Sequence, residues 1–183
     1  ELRDAGWENR AAGELGMIAF LKGNTGDATK AVQSAYDTAT KSGDVGGQLR
    51  YLSSIANGIL LAGYAPVALG FVDRALKLSQ EHPETGFPFV AYSTKVLTLL
   101  EMKQLDEAER FAHEAITQAR AGDRRIKEIE LNMMVARIAQ VRGQHPRRIE
   151  HLQRARATAV EGGVLRLLAD VEAGLAEAFR VGG

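Results

Sequence analysis

The residues of this chain whose types could do chemistry are four histidines, one glycine-rich octapeptide and one short acidic run. His82 and His145 each precede a proline in a turn, and His113 and His151 fall in helical stretches. A metal site on a helix sets two ligands three or four residues apart with a carboxylate close by, and no histidine pair has that spacing. The octapeptide GNTGDATK, Gly23 to Lys30, resembles a phosphate loop at first sight. It lacks the Gly-Lys-Ser/Thr ending and follows no strand, so it reads as a turn with Thr25 or Asp27 capping the next helix. Asp106, Glu107 and Glu109 would suit metal binding or proton transfer, but acids in the first turn of a helix also complement its dipole. No HExxH, GxSxG or Walker sequence occurs. The expectation is a chain with no catalytic residue, no metal and no cofactor, and not an enzyme.

Charge is uneven along the chain. Between Gln118 and Arg156 stand ten bases: Arg120, Arg124, Arg125, Lys127, Arg137, Arg142, Arg147, Arg148, Arg154 and Arg156. Four acids oppose them, Asp123, Glu128, Glu130 and Glu150. Such an end could dock an acidic partner or nucleic acid, or it could be a solvated face. No aromatic residues interleave with the bases as base stacking requires, so nucleic acid is disfavoured as a partner. Over the whole chain Lys plus Arg equals Asp plus Glu at 23 each, and no global field draws in polyanions.

The 183 residues suffice for one domain with a sizeable core or for one block of repeats. Hydrophobic residues at 45% and charged residues at 25% are the balance of a soluble chain. Cysteine is absent, which removes disulfides and thiolate chemistry. No apolar run approaches the ~20 residues of a bilayer span and no secretory leader is visible; the location is open, with the cytoplasm favoured. The chain begins at Glu1 without Met and ends in Val-Gly-Gly. The expectation is a piece of a longer protein whose other domains are partners of this one.

The elements that position any functional side chain are helices. Apolar residues recur at three and four spacings, as in Ile55, Ile59 and Leu60, or Phe89, Tyr92, Val96 and Leu99, or Met133, Met134, Ile138 and Val141. Sustained β-branched alternation is missing. Shifted by 40 residues, the chain meets itself in register. Ala35, Ala75, Ala115 and Ala155 coincide, as do Val32, Val72, Ala112 and Leu152. Ala28, Ala68 and Ala108 coincide with Arg148, and the turn before each gives Gly23, Gly63, Lys103 and Gly143. Each unit is thus a helix, a tight turn and an antiparallel second helix. Alanine where helices cross lets their axes approach toward the short end of the usual ~8–10 Å range. One pair leaves an apolar face wet, and stacking pairs buries it.

The predicted fold is all-α: a right-handed superhelical solenoid of four helix-turn-helix repeats plus a C-terminal capping helix, forming a single domain over 1–183. Repeats span about 4–41, 45–80, 85–120 and 124–160. First helices lie near 4–22, 45–62, 85–102 and 124–142, and second helices near 26–41, 66–80, 105–120 and 146–160. The capping helix lies near 164–180, with Glu161, Asp170, Glu172, Glu177 and Arg180 keeping one side wet.

Small residue, turn glycine, then Ala-x3-apolar-x2-Ala in the second helix resembles the tetratricopeptide repeat over about residues 9–162. The first repeat carries Leu15-Gly16, Gly23, Ala28, Val32 and Ala35; the second carries Ile55-Ala56, Ile59, Gly63, Ala68, Val72 and Ala75. The third, LLEMKQLDEAERFAHEAI, has the common Leu-Asp-Glu-Ala form of the turn. The usual period is about 34; 40 implies longer helices, similar to the helical regions of the maltose-operon activator family of regulators. The chain departs from the pattern at Lys95, where repeats one and two have Leu15 and Ile55, and at Arg148, where the others have Ala. The terminal Pro of the motif survives only loosely, at Pro83. HEAT-type repeats share a ~40–47 period but lack this turn glycine.

In tetratricopeptide proteins the first helices line a concave groove that binds peptides. The resemblance therefore implies a groove of Met17, Phe20 and Leu21 from the first repeat and Arg50, Ser53, Asn57, Leu60 and Leu61 from the second. Val90, Ser93, Leu97, Leu100 and Glu101 come from the third, and Glu130, Met133, Arg137, Gln140 and Val141 from the fourth. Asn57 could hold a peptide backbone through donor and acceptor together, or bond a neighbouring turn. The lysine–asparagine carboxylate clamp of chaperone-binding members is not matched, because Ser53, Val90 and Thr94 stand where bases are expected. The implied function is a non-catalytic interaction module for a peptide or helix of a protein partner. The alternative is a sensor or regulatory segment of a larger signalling or transcription-regulating protein.

Overall fold

All but one of the helix starts among the described residues fall in a 20-residue step. The computed structural model describes residues 11, 15, 18 and 25–182, and eight α-helices lie within them. We number them α1 (Thr25–Ser42), α2 (Val45–Leu61), α3 (Ala65–Glu81), α4 (Phe89–Glu101), α5 (Leu105–Ala121), α6 (Arg125–Val141), α7 (His145–Glu161) and α8 (Leu165–Gly182). A single 3-10 turn, Pro83–Thr85, precedes α4. The fold is all-helical, its helices pack in sequence, and no strand occurs among the described residues.

The turns explain the spacing. A positive φ recurs at Gly43 (70°), Gly63 (87°), Lys103 (62°), Asp123 (48°), Gly143 (70°) and Gly163 (64°). At each the left-handed residue donates its N–H three residues back and the next residue donates five back. Gly63 N bonds Leu60 O and Tyr64 N bonds Ile59 O, and Gly143 N bonds Gln140 O while Gln144 N bonds Ala139 O. This is the Schellman closure, which satisfies carbonyls that the helix end leaves open. A 17-residue helix and a three-residue turn make the 20-residue step, two of which make the 40-residue repeat.

One position cannot obey. Pro83 occupies the slot 20 residues after Gly63, where φ must be positive and an N–H must be donated. The proline ring holds φ near −65° and removes the donor. The chain turns instead through Pro83–Thr85 and Gly86 (φ 80°), and α4 begins at Phe89. That is four residues later than the start at 85 expected from the repeat. Its end at Glu101 stays in step, so α4 has 13 residues where its neighbours have 17.

The crossing alanines lie where the repeat requires. Ala28, Ala35, Ala68, Ala75, Ala108, Ala115 and Ala155 are all buried, as are Val32, Val72, Ala112 and Leu152. The chain divides into two compact units, 1–94 and 95–183, and the division falls within α4. In the first unit Val32, Ala35, Ala39 and Tyr51 pack together, and Leu52 meets Ala75 and Ala91. In the second, Ile129, Leu152 and Ala155 meet Leu167, Val171 and Leu175 of α8. Asp170, Glu172, Glu177 and Arg180 stay exposed on α8, and Glu161 is the last residue of α7. Asp27 lies inside the first turn of α1, where its charge complements the dipole, rather than at the cap.

The two departures from the repeat pattern have their own partners. Arg148, 4% exposed in an alanine position, donates from Nη2 to Glu177 Oε2 at 2.7 Å. Lys95, in an aliphatic position, sets its Nζ 4.6 Å from the Phe111 ring centroid, and its stem is buried.

Candidate functional site

The late start of α4 leaves a cleft in the N-terminal unit. One wall is α2, with Leu49, Arg50 and Ser53; the other is the irregular segment with Phe87 and Pro88 and the start of α4 with Phe89 and Val90. Its volume is about 400 Å³. Residues 85–88, where a full first turn of α4 would have run, all line this cleft. Phe87 braces the segment, its ring centroid 4.7 Å from Phe89 and 4.4 Å from Tyr92. Val90 is 54% exposed at the mouth. Ser53 is buried and its hydroxyl donates to Leu49 O at 2.8 Å, which leaves the oxygen free to accept. The Arg50 guanidinium lies 5.9 Å from the Tyr51 ring centroid, and no carboxylate among the described residues pairs with it.

Three of the residues expected in a groove, Arg50, Ser53 and Val90, thus share this cleft. Asn57 and Leu60 are half-buried farther along α2, and Leu61 is exposed at its end. Ser93 Oγ is buried with no hydrogen-bond partner in the structure. Met17, Phe20 and Leu21 lie outside the described residues. In the C-terminal unit Leu100 is buried, Leu97 half-buried, and Met133 packs against the core around Ile129. Arg137 pairs with Glu101 at 3.1 Å and Glu130 with Lys127 at 2.8 Å, while Gln140 and Val141 are exposed. Leu49, Phe87 and Phe89 are cleft residues absent from the expected groove. The signal for them was the two prolines of HPETGFPF, which interrupt the repeat at its turn.

The basic stretch is neutralised in three dimensions. Nine of its ten bases form ion pairs, several with acids from outside the stretch: Arg156 with Glu172 at 2.6 Å, Arg148 with Glu177, Arg137 with Glu101. Arg142 binds Asp106 and Glu109, and Arg147 also binds Glu109. Burial pushes the Glu109 carboxyl up, but hydrogen bonds and charge from Arg142 and Arg147 outweigh it and hold it below the ordinary range. Asp106 and Glu109 therefore tie α5 to the turn before α7 and to the start of α7 rather than presenting acids for chemistry. A second cleft, about 550 Å³ between α7 and α8, is lined by Phe179 and Leu175 and spanned by the Arg156–Glu172 pair.

The histidines are structural neighbours of these groups. His82 Nδ1 lies 2.9 Å from Glu84 Oε1, and His113 Nε2 lies 3.4 Å from Glu109 Oε1. His151 is buried; its Nδ1 faces Asn132 Oδ1 at 3.0 Å and its ring lies 5.7 Å from that of His113. Burial, then the charges of Arg154 and His113, push the His151 imidazole below its ordinary value. Among the described residues no three His, Asp or Glu side chains gather as metal ligands, and no helix is long and apolar enough to cross a membrane.

A family of helical repeats, the MalT-like TPR region, matches residues 3–181. Two solved structures are similar. One holds nearly identical TPR-like repeats of a chain assigned as a kinesin light chain from Podosopora anserina, at 15% identity and TM-score 0.75 over 98% of this chain and 89% of that one. The other is a single-substitution variant of the same repeats, at 16% identity, TM-score 0.74 and the same coverage. At that identity the likeness concerns the fold. No curated protein matches the chain.

Proposed function

Because the chain belongs to the MalT-like TPR region family, we propose that it is a non-catalytic module that binds a peptide or helix of a protein partner on the surface of its first helices. The observation that carries this reading is the cleft in the N-terminal unit, where Arg50, Ser53 and Val90 meet the aromatic segment. A concave, mostly apolar site with one or two placed polar groups is how folded proteins hold a ligand, and ~300–1,000 Å³ is the usual size. Asn57 and Leu61 extend the same helix face beyond the cleft. A photo-cross-linking residue placed at Val90 tests the reading. Adducts with a partner protein are expected from Val90 and not from Gln80, which is exposed on α3. Equal yields from both positions would move the contact off the first helices.

A second reading is favoured by the family description, which is of a region rather than of a whole protein. On this reading partner binding is passed to another domain of the same parent chain. Activity of that domain with and without the partner, in the intact parent, decides it.

A further inference from the structure

We infer that the Arg50 cleft recognises a partner segment in which an internal aspartate or glutamate is flanked by a bulky apolar residue. The inference rests on the interaction-module reading and specifies the partner's chemistry. The charge argument comes from comparing two clefts lined by described residues. The C-terminal cleft also contains an arginine, but Arg156 already donates to Glu172 at 2.6 Å across it. The N-terminal cleft has Arg50 on its wall, no acidic residue in its lining, and no described carboxylate paired with that guanidinium. A half-buried arginine in an otherwise uncharged, largely apolar lining is the group an incoming carboxylate gains most from meeting, because charge-assisted hydrogen bonds strengthen where water is thin.

The walls select what travels with the carboxylate. Leu49, Phe87, Phe89 and Val90 offer apolar surface to one large side chain beside the acid. Ser53 Oγ, whose proton goes to Leu49 O, accepts rather than repels a backbone N–H of the incoming segment. Arg50 is the only cation in the lining. A chain-terminal carboxylate, with its two oxygens and neighbouring backbone, calls for several converging donors. One guanidinium on a wall suits a side-chain carboxylate instead.

The test uses the 183-residue chain and an array of blocked twelve-residue peptides, amidated at the C-terminus, each with one acidic residue beside Leu or Phe. A matched array replaces every Asp by Asn and every Glu by Gln, and a third carries free C-termini. The chain is expected to retain acidic peptides about tenfold or more over their amide counterparts. Arg50→Gln should erase that preference, Arg50→Lys should keep part of it, and Arg50→Glu should reverse it toward peptides with lysine in place of the acid. Arg50 is not in the buried core, and far-UV circular dichroism confirms that each variant folds. Acid preference that persists in Arg50→Gln, or binding confined to free C-termini, overturns the assignment while leaving the module reading intact. Retention of no peptide on any array, joined to equal cross-linking at Val90 and Gln80, removes both.

Discussion

His151 and Asn132 face each other inside the C-terminal unit, Nδ1 to Oδ1 at 3.0 Å, with both side chains buried. Asn132 Nδ2 donates to Glu128 O at 2.9 Å, so its Oδ1 is the acceptor and His151 Nδ1 carries the proton. Nδ1 thus holds the proton of the neutral ring. Burial first, then Arg154, His113 and Arg147, disfavour a second one, and only Glu150 pulls the other way.

This pair sets a pH dependence. The folded imidazole titrates below the unfolded one, so the unfolded chain binds more protons as pH falls below the unfolded value of about 6.5. Stability is expected to be flat above that point and to decline through it, before the carboxylates begin to protonate. Urea unfolding at pH 8, 7, 6 and 5 measures this. The His151→Gln variant should lose the decline between pH 7 and 5. An equal slope in both proteins would place the sensitivity elsewhere.

Arg148 and Glu177 make an asymmetric pair, since the guanidinium is 5% exposed and the carboxylate 50%. Removing the acid strands a buried charge; removing the base frees an acid that water can solvate. Glu177→Gln should therefore cost more than Arg148→Ala, by about 1–2 kcal/mol. Arg148→Ala also restores the alanine found at Ala28, Ala68 and Ala108. Chemical denaturation of the two variants checks the order.

Two glycines give opposite signs for the same substitution. A Cβ at Gly143 or at Gly70 would meet nothing within 4 Å, so packing contributes to neither. Gly143 sits at φ 70°, where a side chain is strained, and Gly143→Ala should destabilise by about 1–2 kcal/mol. Gly70 lies inside α3 with ordinary helical backbone, and Gly70→Ala should stabilise by up to about 1 kcal/mol. Melting temperatures of the two variants should move in opposite directions.

The break before α4 is attributed to proline chemistry, and it can be undone. Pro83→Gly with Pro88→Ala returns a left-handed turn and four helical residues to the register. Amide hydrogen exchange read by mass spectrometry should show residues 85–88 becoming protected, with binding in the Arg50 cleft lost. Unchanged exchange would mean that the aromatic packing of Phe87 on Phe89 and Tyr92, not proline, holds the segment.

Much of this was open to reading along the chain. The alanine register and the turn at Gly63 and Gly143 are local facts, because helix crossings need small side chains and left-handed turns favour glycine. Lys103 and Asp123 hold the same turn without glycine, and the 40-residue shift aligns Lys103 with Gly63 and Gly143 and Asp123 with Gly43 and Gly163. The groove was less accessible. Ser53 and Leu100 each lie on a helix beside half-buried groove candidates, Asn57 and Leu97, yet each is itself 2% exposed.

Periodicity by itself determined the described helices and the step between them, the start of α4 excepted, since each depends on a residue's own backbone and on neighbours three to five positions away. Partner choice belonged to the tertiary structure. Arg148 finds Glu177 and His151 finds Asn132 across 29 and 19 residues. Nothing in the spacing of either pair required it. Helices that stack by small side chains bring distant positions within hydrogen-bond reach, and only the packed arrangement decides which charges are paired and which, like Arg50, meet no acid among the described residues.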